Sequence, residues 1–163
     1  ALAQAARRMP RNLAMRLSTK GRYAVMAMTD LAGRQDAEGS ARAVSLADIA
    51  ARQQISLSYL EQLFARLRRK GLVKSVRGPG GGYRLAMTAH ETRIADIVLA
   101  VDEPLRATRC GKPAGRGCMA GGERCSTHDL WEEMGRQLHS YLASVSLADV
   151  LNGNLRPAEA AAA

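Results

Sequence analysis

The sequence predicts a mainly α fold with one small β-hairpin, and three observations predict it. Two short stretches with serine caps lie on either side of a tight turn, Gln53-Gln54-Ile55. A glycine-rich hexapeptide, Arg77 to Gly82, then separates two short strand-like runs. Near the C-terminus a long stretch keeps apolar residues at helical spacing from Leu130 to Val145. Two helices across a tight turn, followed by a hairpin, make the winged helix-turn-helix pattern. The apolar stripe of the long helix needs a partner, either the core of its own subunit or the matching helix of a second copy; we read it as a dimerisation helix, with part of the stripe packed on Tyr23–Leu31 of the first helix.

Taken in order, Ser18 or Thr19 caps a first helix over about Lys20–Gly33. Its apolar positions Tyr23, Val25, Met26, Met28 and Leu31 leave few polar faces and predict burial. Gly33–Ala43 is polar, with two glycines, and reads as a loop. Ser45-Leu46-Ala47-Asp48 is a capping-box pattern ahead of a short helix, Leu46–Arg52. Ser56 and Ser58 are both N-cap candidates for the next helix, and Ser58-Tyr59-Leu60-Glu61 repeats the box. That helix carries Leu60, Leu63, Phe64 and Leu67 on one face and ends at Lys70-Gly71, a basic turn before a C′ glycine. Leu72–Val76 alternates as a strand, and Tyr83–Leu85 returns beside it. A fourth helix, about Ile94–Val101, follows Thr92. Thr108–Cys125 is too rich in glycine for regular structure. The long helix begins near Ser126 or Thr127, and its stripe is Leu130, Trp131, Met134, Leu138, Tyr141, Leu142 and Val145.

The charge is divided. Residues 1–88 hold 16 Lys/Arg against 5 Asp/Glu, a net of +11, whereas residues 89–163 hold 8 against 10. A strongly basic half joined to a nearly neutral one implies a polyanion-binding part and a part with another task. No apolar run approaches the ~18 residues of a membrane-spanning helix, so no membrane role is expected. The domain reading is therefore an extension over 1–14, a winged helix-turn-helix over 15–88, a cysteine loop and dimerisation helix over 89–152, and a disordered tail over 153–163. The first fourteen residues are Ala- and Arg-rich without an acidic residue, a composition shared with transit peptides. We read them instead as a non-native or disordered extension ahead of a natural start at Met15.

In this pattern the second helix of the pair enters the major groove of double-stranded DNA with its first residues facing base edges. Those residues are Ser56, Ser58, Tyr59, Glu61 and Gln62. Gln62 suits an adenine edge, and Glu61 suits a cytosine amino group. Arg66, Arg68, Arg69 and Lys70 place charge near the phosphate backbone. Arg77, on a slim glycine-rich tip, suits a narrow minor groove. Taken singly, the tip is only a hairpin turn and the arginines a solvated face; a helix pair, a wing and a basic half in one chain make that bland account improbable.

The other constellation is Cys110-x7-Cys118-x6-Cys125-x2-His128. Three cysteines are an odd count for a disulfide framework, and no secretory signal accompanies them. Three thiolates and an imidazole can hold an iron–sulfur cluster, and the same set can hold zinc. His128 falls in the first turn of the long helix. His90 and His139 have no cysteine neighbours in sequence and read as surface or interface residues.

The blocks MRLSTKGRYAV from Met15, ISLSYLEQLF from Ile55 and VRGPGGGY from Val76 carry a resemblance. They are similar to the IscR-like family of winged-helix iron–sulfur cluster regulators, over Met15 to about Asn152. The resemblance implies a bacterial, cytoplasmic, nucleoid-associated homodimer that represses or activates transcription and controls iron–sulfur biogenesis genes. It also implies a [2Fe-2S] cluster on Cys110, Cys118, Cys125 and His128, supplied by the iron–sulfur assembly machinery. DNA contacts are implied from Ser56, Ser58, Tyr59, Glu61, Gln62 and Arg77. Both gaps between cysteines are longer than in that family's pattern, and the extra residues fall in glycine-rich loop. A related regulator holds a [4Fe-4S] cluster with an acidic residue of its first helix; here Lys20–Arg22 is basic and Asp30 lies a turn or more away. The alternatives are a zinc-stabilised regulator, a thiol switch closing Cys110 on Cys125, and a metal-dependent hydrolase. The hydrolase would have Glu123 and Asp129 beside the metal but no pocket signature, and it leaves the basic half unexplained.

Overall fold

The computed structural model describes residues 18–38, 42–101, 119 and 121–155. The expected extension over 1–14, the start at Met15, Cys110, Cys118 and the tail from residue 156 lie outside the described residues. The elements are α1 (Thr19–Glu38), α2 (Leu46–Gln53), α3 (Leu57–Arg69), β1 (Val73–Val76), β2 (Gly82–Leu85), α4 (Ile94–Val101), α5 (His128–Ser144) and α6 (Leu147–Asn152).

α1 is the central post. Ala24, Ala27, Met28, Leu31 and Ala32 on it are buried, and it packs on α2, α3, α4, α6 and β2. The helix runs past Gly33, where the sequence suggested a loop. Tertiary contacts explain the extra turn. Gly33 lies tight against α6, where a Cβ would come within 3.2 Å of Leu151. Gln35, 5% exposed, accepts from the Leu85 N–H at 2.9 Å and donates to the Arg42 carbonyl. An amide that satisfies a buried strand edge fixes the helix beyond its own propensity.

α2 starts as expected, with Ser45 Oγ accepting from the Asp48 N–H at 3.1 Å. Gln54 then takes a left-handed conformation (φ 54°) to make the turn into α3. Of the two N-cap candidates the structure uses Ser56, whose Oγ accepts from the Tyr59 N–H at 3.2 Å, so α3 begins one residue before Ser58. Ile55 and Leu60, the staple positions around that cap, are both buried. A bidentate ion pair ties α2 to α1: Arg52 Nε is 3.1 Å from each Asp30 carboxylate oxygen, and Arg52 Nη2 is 2.6 Å from Oδ1. Gln53 Nε2 donates to Asp30 Oδ2 at 2.7 Å.

β1 and β2 are antiparallel, with Val73 opposite Leu85 and Val76 opposite Gly82. The sequence did not mark a third contributor: Val44 bridges Tyr83 through paired backbone bonds of 2.8 Å. Gly82 is required there, because a Cβ would lie 2.2 Å from the Val44 carbonyl oxygen. Phe64 of α3 meets Tyr83 edge-on, with ring centroids 5.0 Å apart, and so seats the hairpin on α3.

α5 ends sooner than its stripe. Val145 turns extended, and the chain doubles back along residues 89–94 through Ile94 N–H to Val145 O, Leu147 N–H to Thr92 O and Ala148 N–H to Ala89 O. α6 follows with a full capping box between Ser146 and Asp149. The element that packs on α1 is thus α6, while α5 packs on α4. Most of α5 is left uncovered: Leu130 is 60% exposed, and Trp131, Met134, Leu138, Tyr141 and Leu142 are half-buried.

Candidate nucleic-acid interface and metal centre

Ser56, Ser58, Glu61 and Gln62 all lie exposed in the first turn and a half of α3. The Ser56 hydroxyl serves as the cap and lies 3.4 Å from the Ser58 hydroxyl. The first amides of a helix point forward without intrahelical acceptors, so they favour a phosphate or a base edge. Tyr59 is half-buried instead, meeting Tyr23 of α1 edge-on at 6.0 Å. That contact brings the start of α1 beside α3. The Arg22 guanidinium lies 5.9 Å from the Tyr23 ring centroid, which puts a cation near the start of α3 that the sequence did not single out. Leu57, 41% exposed, is a further apolar group on this edge. Arg77 is exposed at the start of the wing turn, which is closed by Gly81 N–H to Gly78 O at 2.9 Å.

The four arginines and lysines at the end of α3 are not equivalent. Arg66 Nη1 donates to the Val101 carbonyl at 2.8 Å, so it faces α4 rather than standing free for the backbone. Arg69 Nε donates to the Ala65 carbonyl of its own helix. Arg68 and Lys70 are exposed.

The second constellation is described at its C-terminal end. The His128 N–H donates to the Cys125 carbonyl at 3.0 Å, a turn that holds the two residues together at the foot of α5. Cys125 Sγ is 3.7 Å from Thr127 Oγ1, and Thr127 Oγ1 in turn accepts from Trp131 Nε1 at 3.1 Å. His128 is the buried residue of α5, at 8% exposure. Its Nε2 is 3.7 Å from Glu132 Oε2, one turn on. The ligand atoms of His128, Asp129 and Glu132 lie within 4.8 Å of one another. That is a nitrogen and oxygen set, suited to a hard or borderline cation rather than to an iron–sulfur core, which takes thiolates. A thiol and an imidazole, the donor types an iron–sulfur centre takes, thus lie three residues apart at the foot of α5, while Cys110 and Cys118 lie outside the described residues.

Among the described residues no helix is long and apolar enough to cross a membrane. A family model, Rrf2, described as an iron-dependent transcriptional regulator, matches residues 17–153. The chain is 54% identical over 138 residues to the HTH-type transcriptional regulator IscR of Photorhabdus laumondii, covering 85% of this chain and 80% of that protein. It is 50% identical over 138 residues to the protein of the same name from Escherichia coli, covering 85% and 81%. Among solved structures, T. potens IscR superposes with a TM-score of 0.68 at 36% identity, over 91% of this chain and 94% of that one. CymR of B. subtilis, titled the global cysteine regulator, superposes at 0.69 with 31% identity, over 86% and 98%. With a helix pair, a wing and a matching family model along nearly the whole described length, the chain belongs to the Rrf2 family and is a DNA-binding transcription regulator rather than an enzyme.

Proposed function

We propose that this regulator senses iron–sulfur cluster status through a [2Fe-2S] cluster and controls iron–sulfur biogenesis genes. The observation that carries the reading is the turn that joins Cys125 to His128 at the foot of α5. It sets Cys125 just ahead of α5 and His128 in its first turn, the last two donors of a Cys3His set, at the start of a helix whose apolar face is only partly covered. Cys110 and Cys118 complete the set. The CymR likeness shows that the fold alone does not select this function, so the donor set has to. The regulator then works in the cytoplasm on double-stranded DNA. It reads the major groove with Ser56, Ser58, Tyr59, Glu61 and Gln62 and the minor groove with Arg77. Residues 15–88 form the reading unit. Residues 89–152 hold the cluster, taken from the assembly machinery, and pair two copies through α5.

The chemistry such a cluster supplies is reversible occupancy and a change of local charge. His128 contributes a neutral donor, so its ligating nitrogen must be deprotonated and acid loosens the site. The test is anaerobic purification followed by a visible spectrum with iron and sulfide quantification. Equal iron and sulfide with charge-transfer bands are expected. Stoichiometric zinc without bands, or a Cys110–Cys125 disulfide without metal, overturns the reading. In a second arm, His128→Ala loses the cluster or holds it poorly while apo-type DNA binding survives. A full-strength, unshifted spectrum in that variant removes His128 from the ligand set and turns attention to Asp129 or Glu123.

A further inference from the structure

We propose that Leu57 is a specificity-determining residue that reads the C5-methyl group of a thymine in the major groove. The inference rests on the reading above that α3 enters that groove, and it adds an apolar contact to the polar ones. Leu57 is the first residue of α3, and it is the one large apolar side chain of α2 and α3 that the fold leaves exposed, at 41%. The other large aliphatic and phenyl groups of α3 turn inward: Leu60, Leu63, Phe64 and Leu67 are all buried. Leu57 does not serve to start the helix either. Ser56 Oγ caps α3 by accepting from the Tyr59 N–H, and the apolar pair around that cap is Ile55 and Leu60.

A single exposed apolar residue is common on any surface and by itself means nothing. Position gives this one its meaning. Helical side chains lean toward the N-terminus, so a side chain in the first position projects ahead of the helix. Its neighbours Ser56 and Ser58 are exposed hydroxyls, and Glu61, one turn on and on the same face, is an exposed carboxylate. Leu57 thus stands among groups that seek hydrogen bonds and can make none with its own side chain. The base edges in the major groove present one apolar group, the thymine methyl. Glu61 suits a cytosine amino group, and four residues of helix span about 6 Å. With bases about 3.4 Å apart along a strand, the two side chains together select a thymine within about two base pairs of that cytosine. Covering one methyl group is worth about four-fold in affinity.

The experiment uses the full chain, with wild type and variants prepared alike. Preferred sequences are enriched from a random pool of double-stranded DNA, and one is resynthesised with each thymine in turn replaced by deoxyuridine. That replacement removes the methyl group and keeps the base pair. For the wild type, replacement at one position near the cytosine is expected to weaken binding about four-fold. In Leu57→Ala the same replacement is expected to have no effect, a cycle that couples one side chain to one methyl group. Leu57→Gln, which keeps the length and removes the apolar tip, is read in the same way should the Ala variant be unstable. A wild type indifferent to every deoxyuridine, or a penalty of equal size in wild type and variant, overturns the inference alone, provided that Glu61→Ala alters the enriched sequences. If neither Glu61→Ala nor Leu57→Ala alters them, the reading of the groove by α3 falls and this inference with it.

Discussion

The Asp30–Arg52–Gln53 strut gives an asymmetric stability prediction. The Asp30 side chain is 6% exposed, whereas that of Arg52 is 30% exposed. Burial pushes the Asp30 carboxyl up, but the hydrogen bonds from Arg52 and Gln53, with the charges of Arg52 and Arg34, outweigh it and hold the group below its ordinary 3.8. Removing Arg52 leaves a largely covered carboxylate with Gln53 as its remaining hydrogen-bond donor. Leaving a covered polar group without its partner costs about 1–3 kcal/mol, and the charge on Asp30 argues for the upper end of that range. Removing Asp30 instead leaves a guanidinium that can turn to water, and the loss is about 1–2 kcal/mol, that of charge-assisted hydrogen bonds. Arg52→Ala is thus expected to destabilise more than Asp30→Ala, and the double variant to resemble Asp30→Ala, a coupling that a double-mutant cycle reads directly. Urea unfolding at fixed protein concentration measures all four proteins. The pH dependence follows in sign. The folded pKa is lowered, so the strut's contribution is complete above 3.8 and is lost as pH falls through the lower folded value. In Arg52→Ala the hydrogen bond and charge of Arg52 no longer lower this carboxyl against the effect of burial, so its deficit against wild type shrinks on acidification. Equal costs for the two single variants, or a deficit that grows toward acid, would refute the reasoning.

Three further predictions concern DNA and assembly. Arg77→Ala is expected to weaken binding and to reduce preference for A·T-rich minor groove, read by titration across salt; an unchanged affinity and preference removes the wing from the interface. Leu138→Asp is expected to give a monomer in sedimentation, since α5 leaves Leu138 half-covered beside Trp131 and Met134; a persistent dimer puts the seam elsewhere. Glu61→Ala is expected to broaden the set of bound sequences, because an exposed carboxylate at the helix start is disfavoured by phosphates and loses solvation wherever no cytosine amino group meets it. Unchanged selectivity on random-sequence DNA sinks that role.

The parts of the fold legible in the sequence are those with local causes. Ser45, Ser56 and Lys70-Gly71 punctuate α2 and α3 through caps that act within one turn, and Gly71 does take the left-handed conformation (φ 74°) that a C′ residue needs. The wing is legible because glycine and proline mark its tip. What local rules missed is set from far along the chain. The extension of α1 depends on a bond from residue 85 to Gln35, and the third wing contact depends on Val44. The break at Val145 had a local signal that the apolar periodicity overrode. Ser146-Leu147-Ala148-Asp149 repeats Ser45-Leu46-Ala47-Asp48, and both tetrapeptides open a helix with the serine as cap. Leu147 and Ala148 are buried because that second helix returns to α1, an arrangement spacing alone does not distinguish from one longer helix.

Charge shows the same limit from the other side. Counting 16 basic residues in the first 88 identifies a polyanion partner, because the field of many cations reaches about a Debye length whatever each side chain touches. Counting does not say which of them reach phosphate. Arg52 is bonded to Asp30, Arg66 to the end of α4 and Arg69 to its own helix, so part of the basic excess holds the reading head together. Those groups steer the approach to DNA as fully as any others. Arg22 beside Tyr23 and Arg77 on the hairpin tip are exposed cations at the edge of α3 and the wing. Arg52 and Arg66, though exposed, thus also bridge α2 to α1 and α3 to α4, a structural role that a count of charges does not reveal.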